Sequence, residues 1–264
     1  MVFIDLRAKA QYLKAHVPGA VHSDYVFDGW REERDGVVGL MPCPHALESV
    51  IGRLGVSNDS HVVLLPPGAS AWDMGIATRI YWTFKVLGHN AMSILNGGMK
   101  AYLAEDRSPR EDGEVAPRPA RFIAEYQPLL VADCDDVSDA LRARGLLLDS
   151  RPTDQYLGLN KTGDVQRYGT LPGAVSIPGQ WLTINGGGYF RGVETLRRLY
   201  QAVNVPLDPS AILFCNTGHW STVGWFAHSE LLGLSPSRMY DASMAEWSRA
   251  DPQDRPMEIK VPVD

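Results

Sequence analysis

Cysteine is scarce in this sequence, and its distribution excludes two common classes of cysteine-containing protein. Cys43, Cys134 and Cys215 are far apart and form no CxxC pair. An odd number of isolated cysteines argues against a disulfide framework, and their spacing fits neither a zinc site nor another structural metal site. We therefore expect free thiols in a reducing compartment.

Clusters of positive charge and long apolar runs are also missing. The net charge is -6 at pH 7 and no run of Lys or Arg appears, so neither a nucleic acid nor an acidic membrane surface is expected as a partner. No stretch of about 18 apolar residues is present, which argues against a membrane-spanning helix. A small anionic substrate would need a local cationic pocket, because the overall field repels it.

The first residues have no feature of a secretory signal. The segment Met1-Val2-Phe3-Ile4-Asp5 has the pattern of a buried strand, without a basic region followed by an apolar region. We therefore expect a cytoplasmic protein. If the natural N-terminus lies upstream, a periplasmic location is the alternative.

The sequence repeats itself, and the repeated motifs occur in the same order in both halves. A series of ordered matches indicates a tandem duplication rather than chance similarity. The matches are Asp5-Leu6-Arg7 with Asp149-Ser150-Arg151, Gln11-Tyr12-Leu13 with Gln155-Tyr156-Leu157, Pro18-Gly19-Ala20-Val21 with Pro172-Gly173-Ala174-Val175, Val62-Val63-Leu64-Leu65 with Ala211-Ile212-Leu213-Phe214, Leu87-Gly88 with Leu232-Gly233, and Met99 and Tyr102 with Met244 and Trp247.

The two copies define the predicted domains. We assign residues 1–106 to the first domain and residues 128–264 to the second, with residues 107–127, rich in proline and charge, as a surface linker. Short apolar runs alternate with helical patterns in each copy. This alternation predicts an α/β fold in which each domain has a mainly parallel sheet flanked by helices.

The segment around Cys215 carries the strongest chemical signal. A buried strand ends at Cys215, a short loop containing Gly218 follows, and a helix is predicted to begin near Ser221 or Thr222 with a hydroxyl capping its free N–H groups. Ligand sites in α/β sheets form beyond the carboxyl ends of strands. Backbone N–H groups of such a loop bind anions, so we expect them to favour a thiolate on Cys215 that attacks a sulfur donor and then holds a persulfide.

The motifs together identify the chain as resembling the rhodanese superfamily, and in particular the tandem two-domain thiosulfate and 3-mercaptopyruvate sulfurtransferases. The resemblance spans nearly the whole chain and includes two further segments, Leu95-Asn96-Gly97-Gly98-Met99 and Tyr240-Asp241-Ala242-Ser243-Met244-Ala245-Glu246-Trp247. It implies sulfur transfer through a persulfide on Cys215, with no cofactor. It also implies a small anionic sulfur donor, a thiol or cyanide acceptor, and a protein sulfur acceptor as a further partner.

The resemblance assigns different roles to the two copies. The first copy is the degenerate domain, because Leu65 is followed by Pro66 and no cysteine stands there. The second copy is catalytic. Its predicted persulfide- and substrate-binding loop comprises Asn216, Thr217, Gly218, His219, Trp220 and Ser221.

Three positions depart from the family pattern and leave the donor open. Asn216 and Thr217 stand where thiosulfate enzymes have basic residues, and Gln155 replaces an arginine that grips substrate anions. Lys161, Arg167 and Arg191 are the remaining candidate contacts for a substrate anion. His219 is expected either to bind or protonate the substrate or to face solvent. Trp220 is expected to pack against the other domain or to line the pocket, with direct contact to the substrate as the alternative.

Two alternative functions follow from the same loop. A cysteine phosphatase would need an arginine at the position of Ser221, so that reading is disfavoured. A sulfur-relay or binding module that accepts a persulfide from a protein donor fits the scarcity of cations after Cys215.

Other residues are expected to be structural. Arg7 and Arg151 are predicted to pair with the preceding aspartates, and Cys43 to be inert. Cys134 is expected to be a weak nucleophile because neighbouring carboxylates raise its pKa. Trp82 and Trp225 are predicted to fill cores.

Overall fold

The computed structural model describes residues 1–208 and 210–261. Contacts between Cα atoms divide the chain into two compact units. Unit 1 comprises Met1–Glu32, Met41–Gln127 and Gly186–Phe190, and unit 2 comprises Glu33–Leu40, Pro128–Asn185 and Arg191–Asp264.

The first half of the chain forms a four-stranded parallel sheet with helices between its strands. The strand order is β2-β1-β5-β6, and β3 and β4 form a separate two-stranded sheet. The elements are β1 (Val2–Asp5), α1 (Lys9–Lys14), β2 (Val21–His22), β3 (Glu32–Arg34), β4 (Val37–Leu40), α2 (Pro44–Arg53), β5 (Val62–Leu65), α3 (Ala71–Val86), β6 (Met92–Ile94) and α4 (Gly98–Ala104).

The second half forms a five-stranded parallel sheet in the order β7-β11-β10-β8-β9. Three short 3-10 turns, at Pro128–Leu130, Gly179–Leu182 and Ile184–Gly186, accompany it. The other elements are β7 (Val131–Ala132), α5 (Cys134–Ala143), β8 (Leu147–Asp149), α6 (Thr153–Leu157), β9 (Val175–Ser176), α7 (Val193–Ala202), β10 (Ile212–Phe214), α8 (Trp220–Trp225) continuing as a π-helical turn (Phe226–Leu231), β11 (Arg238–Tyr240) and α9 (Ser243–Trp247).

The predicted fold class is therefore confirmed. Both sheets are parallel and both have helical connections, as the alternation of apolar runs and helical patterns indicates. The central strand β10 is buried over its whole length, which explains why it lacks alternating polar residues. The segment 107–127, which the sequence marks as a linker, belongs to unit 1.

The repeated Asp-x-Arg motif forms the same buried ion pair in both units, at the end of β1 and at the end of β8. Arg7 pairs with Asp5 at 2.6 Å, and Arg151 pairs with Asp149 at 2.5 Å. Each arginine also donates to a backbone carbonyl, that of Ala15 in unit 1 and that of Gly169 in unit 2. These pairs confirm the predicted structural role of both arginines, since burial of either charge without its partner would be costly.

The predicted core tryptophans are buried. Trp82 in α3 and Trp225 in α8 are both 0% exposed. The helix α3 begins with a capping box, in which Ser70 and Asp73 bind each other's backbone N–H groups.

Candidate active site

Cys215 lies directly after β10, at the carboxyl end of the central strand of unit 2, and is 1% exposed. Its backbone is fixed by the start of α9. The N–H of Met244 donates to the Cys215 carbonyl at 3.1 Å, and the N–H of Ala245 donates to the Asn216 carbonyl at 2.9 Å. The strand end and the following loop are therefore anchored at two successive carbonyls.

The backbone N–H of Cys215 has a side-chain partner. It donates to Ser243 Oγ at 3.1 Å, and the Ser243 hydroxyl in turn donates to the Tyr240 carbonyl at 2.7 Å. Ser243 has a φ of 51°, in the left-handed region that residues other than glycine rarely adopt. The conformation places its hydroxyl between the ends of β10 and β11.

The sulfur of Cys215 accepts a hydrogen bond from Ser221. The distance from Ser221 Oγ to Cys215 Sγ is 3.4 Å, and Ser221 is fully buried in the first turn of α8. The prediction that a hydroxyl of Ser221 or Thr222 caps the helix is wrong. The N-cap residue is His219, which makes no side-chain capping bond, and Thr222 Oγ1 donates to the His219 carbonyl at 2.8 Å.

An amide pair lies beside Cys215. Asn216 Nδ2 donates to Gln155 Oε1 at 2.8 Å. Asn216 is 8% exposed, and its Oδ1 is buried without a hydrogen-bond partner among the residues that the structure describes. Gln155, on α6, thus meets the residue that follows Cys215, at the position where the resemblance implies an arginine.

The rest of the predicted loop is compact. Gly218 has a φ of 76°, which allows the chain to turn back toward α8. His219 is 1% exposed, so the expectation of a solvent-facing histidine is wrong. Trp220 packs so closely on Gly179 that a Cβ at that glycine would lie 2.6 Å from its ring. Thr217 is half-buried.

The three predicted anion contacts bind backbone carbonyls in unit 2. Lys161 Nζ donates to the Val165 carbonyl at 2.9 Å, and Arg191 Nε donates to the Trp181 carbonyl at 2.7 Å. Arg167 donates to the carbonyls of Ser248, Trp247 and Arg255. Their assignment to substrate stays a prediction.

The other two cysteines have different surroundings. Cys43 is exposed and lies at the start of α2. Burial raises the pKa of the Cys134 thiol, and a hydrogen bond from Arg255 at 3.4 Å opposes that shift. The predicted direction is therefore confirmed, although burial contributes more than the neighbouring carboxylates do.

Unit 1 has the same backbone arrangement without a thiol. The N–H of Met99 donates to the Pro66 carbonyl at 2.8 Å, as Met244 does to Cys215. Gly98, with a φ of 61°, matches the left-handed Ser243. Pro66 and Gly98 thus replace the cysteine and the serine, and Pro66 has no N–H to donate. The contact of Ser243 was missed by sequence reasoning, although the alignment of Gly98 with Ser243 contains its signal.

Comparison with known proteins agrees with this arrangement. A family model described as a rhodanese-like domain matches residues 1–105 and again residues 133–250. The sulfur carrier protein TtuD of Thermus thermophilus is 31% identical, over 89% of this chain and 83% of that protein. The human 3-mercaptopyruvate sulfurtransferase is 30% identical, over 94% of this chain and 82% of that protein.

A solved structure shows the same fold. The crystal structure of SseA from Escherichia coli, described as a 3-mercaptopyruvate sulfotransferase, superposes with a TM-score of 0.79 at 24% identity. The match covers 92% of each chain. The fold and the duplicated motifs define a tandem rhodanese-like protein, and the chain belongs to the rhodanese family. Within that family it is a sulfurtransferase.

Among the described residues, no helix is long and apolar enough to span a membrane.

Proposed function

We propose that this chain moves sulfane sulfur from a small anionic donor, of the thiosulfate or 3-mercaptopyruvate class, to a thiophilic acceptor through a persulfide on Cys215. One observation carries the proposal. Cys215 stands at the carboxyl end of the central strand, with its backbone anchored on both sides and a hydroxyl donating to its sulfur. That position is where open α/β sheets bind ligands.

The chemistry proceeds in two displacements. The Cys215 thiolate attacks the outer sulfur of thiosulfate, a new S–S bond forms, and the old S–S bond breaks with release of sulfite. Cyanide then attacks the outer sulfur of the persulfide, a C–S bond forms, and the electron pair of the S–S bond returns to Cys215 Sγ as thiocyanate leaves. Such covalent catalysis replaces one difficult transfer with two easier ones.

The proposed division of the chain follows from the absence of a thiol at Pro66. Residues 128–264 form the catalytic domain, residues 1–106 form a degenerate domain that carries no sulfur, and residues 107–127 connect them. The loop from Asn216 to Ser221 holds the persulfide, and Lys161, Arg167 and Arg191 are the proposed contacts for the donor anion. The proposed location is the cytoplasm, where free thiols persist.

A second candidate is a sulfur relay that receives its persulfide from a protein. The amide pair of Gln155 and Asn216 favours it, because a neutral contact beside Cys215 attracts a small dianion less than an arginine would. The relative from Thermus thermophilus is named a sulfur carrier protein, which also supports a protein partner.

Mass spectrometry and turnover distinguish the two candidates. Treatment with thiosulfate or 3-mercaptopyruvate is expected to add about 32 Da to the protein, the mass of one sulfur atom, and cyanide is expected to remove it. The control is C215S, which should gain no mass. Efficient steady-state turnover on either small donor excludes the relay, whereas loading only from a persulfidated protein supports it. No cyanide-removable sulfur from any donor contradicts both.

A further inference from the structure

The hydroxyl of Ser221 has a single described partner, and that partner is the reacting sulfur. Ser221 is 0% exposed, and its Oγ lies 3.4 Å from Cys215 Sγ. A buried hydroxyl without an acceptor is costly. Within residues 1–208 and 210–261, no other hydrogen bond of this hydroxyl is found, so the sulfur supplies its acceptor.

We propose that Ser221 is a catalytic residue that stabilises Cys215 Sγ as the leaving group when sulfur passes to the acceptor. The inference rests on the proposed persulfide of Cys215. It assigns to Ser221 a role in one half of the reaction, beyond membership of the substrate-binding loop.

The argument depends on where the negative charge lies at each stage. A neutral thiol sulfur is a weak acceptor, whereas hydrogen bonds to a charged acceptor are roughly twice as strong. In the thiolate that attacks the donor the charge is on Sγ, and the Ser221 bond to it is strong. In the persulfide the charge is on the outer sulfur, and Sγ is a neutral divalent atom that accepts weakly.

The two half-reactions therefore depend differently on Ser221. When the acceptor attacks the outer sulfur, the electron pair of the S–S bond moves onto Sγ, and the O–H of Ser221 meets the growing charge. No proton is transferred in this step. During loading the charge leaves Sγ, so the same bond gives no assistance to the attack itself.

The fold does not require a serine at this place. In unit 1, Trp72 lies six positions after Pro66, as Ser221 lies six positions after Cys215. Trp72 is 48% exposed, in the first turn of α3. The buried hydroxyl thus occurs in the copy that has the thiol.

Single-turnover kinetics test the proposal. Wild-type protein and S221A are loaded with thiosulfate or 3-mercaptopyruvate, freed of donor, and mixed with cyanide, while thiocyanate formation and the loss of about 32 Da are timed. We expect S221A to release sulfur about tenfold more slowly. At a pH where Cys215 is fully ionised, loading should be at least as fast as in the wild type, because the lost bond stabilises the attacking thiolate more than the transition state of loading.

S229A is the matched control. Ser229 is a buried serine on the same helical segment, and its hydroxyl donates to Glu230 rather than to sulfur. Both of its half-reactions should match the wild type. The melting temperature verifies that each variant is folded. If S221A does not fold, S221G removes the same hydroxyl and is measured instead.

The outcomes separate this inference from the proposed function. Unchanged release by a folded Ser221 variant overturns the inference, and so does equal slowing of loading and release at every pH. If the wild type takes up no sulfur, the persulfide proposal fails. The pH dependence of Cys215 alkylation by iodoacetamide then tests, independently of sulfur transfer, whether Ser221 stabilises the thiolate. A shift of the alkylation profile of S221A to higher pH supports a hydroxyl that stabilises the thiolate, and an unchanged profile refutes it.

Discussion

The hydroxyl of Ser243 accepts a hydrogen bond from the backbone N–H of Cys215 at 3.1 Å, and Ser243 itself has a φ of 51°. The N–H belongs to a cysteine that is 1% exposed, so water cannot replace this acceptor easily. The left-handed backbone is unfavourable for serine by roughly 1–2 kcal/mol. Local strain therefore lies at the residue that anchors the backbone N–H of Cys215.

Substitution of Ser243 separates these two effects. S243A removes the acceptor and keeps the strain, and we expect it to lower the free energy of unfolding by about 2 kcal/mol. S243G also removes the acceptor but relieves the strain, so its loss should be smaller by about 1 kcal/mol. Urea denaturation measures both. Equal stability of the two variants would contradict the account of strain.

The three cysteines should differ sharply in function. C215S is expected to abolish formation of thiocyanate, because a hydroxyl is neither ionised near neutral pH nor able to carry sulfane sulfur. C43S and C134S should keep nearly full activity, since neither thiol follows β10 and burial raises the pKa of Cys134. Loss of activity in either of these two variants, with C215S active, would refute the assignment.

The buried pair of Asp149 and Arg151 should contribute strongly to stability. D149N leaves the guanidinium without its charge partner and weakens the bond from Thr170 to Asp149, which is 2.7 Å long. We expect a loss of about 3 kcal/mol or more in the free energy of unfolding. The control is R142A, which breaks an exposed ion pair with Asp139 on α5 and should leave the melting temperature unchanged.

Gln155 offers a test of whether the site binds an anionic donor. Q155R adds a cation next to Asn216, and we expect the KM for thiosulfate to fall by about fivefold, a change of about 1 kcal/mol. Q155E should raise the KM instead. Steady-state kinetics at constant ionic strength measure both variants. If neither substitution changes the KM, the donor anion does not bind beside the amide pair, and the relay gains support.

His228 should make the protein less stable in mild acid. Burial lowers the pKa of His228, whose Nε2 lies 2.9 Å from the Asp208 carbonyl. Its ordinary pKa of about 6.5 applies when the chain is unfolded, so the unfolded state takes up the proton first as the pH falls below that value. Stability therefore declines with falling pH in this window and is constant above it.

H228Q removes this titration. Between about pH 7 and pH 5, the melting temperature of H228Q should fall less than that of the wild type. His89 has a pKa that burial also lowers, so H89Q serves as a comparison in unit 1. Parallel curves for the wild type and H228Q would rule out a contribution from His228.

The sequence predicts the features that residue type determines locally. The apolar run before Cys215, the glycine after it and the repeated Asp-x-Arg motif are sufficient to place a strand, a loop and a buried ion pair. The duplication strengthens each of these predictions, because a pattern that occurs twice in order depends less on any single residue.

The contacts that complete the site depend on tertiary packing. Ser243 is 28 residues from Cys215 along the chain, and its left-handed backbone has no signature in its residue type. Ser221 was expected to cap the helix because hydroxyls favour that position. Its hydroxyl instead donates to Cys215 Sγ, and the two atoms meet only because the loop turns back toward the end of β10.

Segment membership also follows from contacts rather than from position in the chain. Residues 33–40 lie in the first half of the sequence, yet they pack with unit 2. Val37 joins the core cluster of that unit, and Arg249 Nη1 donates to the Gly36 carbonyl at 2.7 Å. A single domain boundary placed along the sequence cannot predict that a segment of the first half packs with the second unit.

Pro66 and Gly98 together make it difficult to introduce a thiol into the first copy by a single substitution. A single change of Pro66 to cysteine would introduce a thiol, but it would also introduce a buried N–H opposite Gly98, which has no side-chain oxygen to accept it as Ser243 does for Cys215. A serine in place of Gly98 would supply the acceptor but would clash with the backbone, because its Cβ would lie 2.5 Å from the Pro66 carbonyl oxygen. A change at Pro66 does not relieve this clash, because the carbonyl oxygen belongs to the backbone. A thiol with the same backbone contact as Cys215 would therefore need changes at both positions and a movement of the backbone between them.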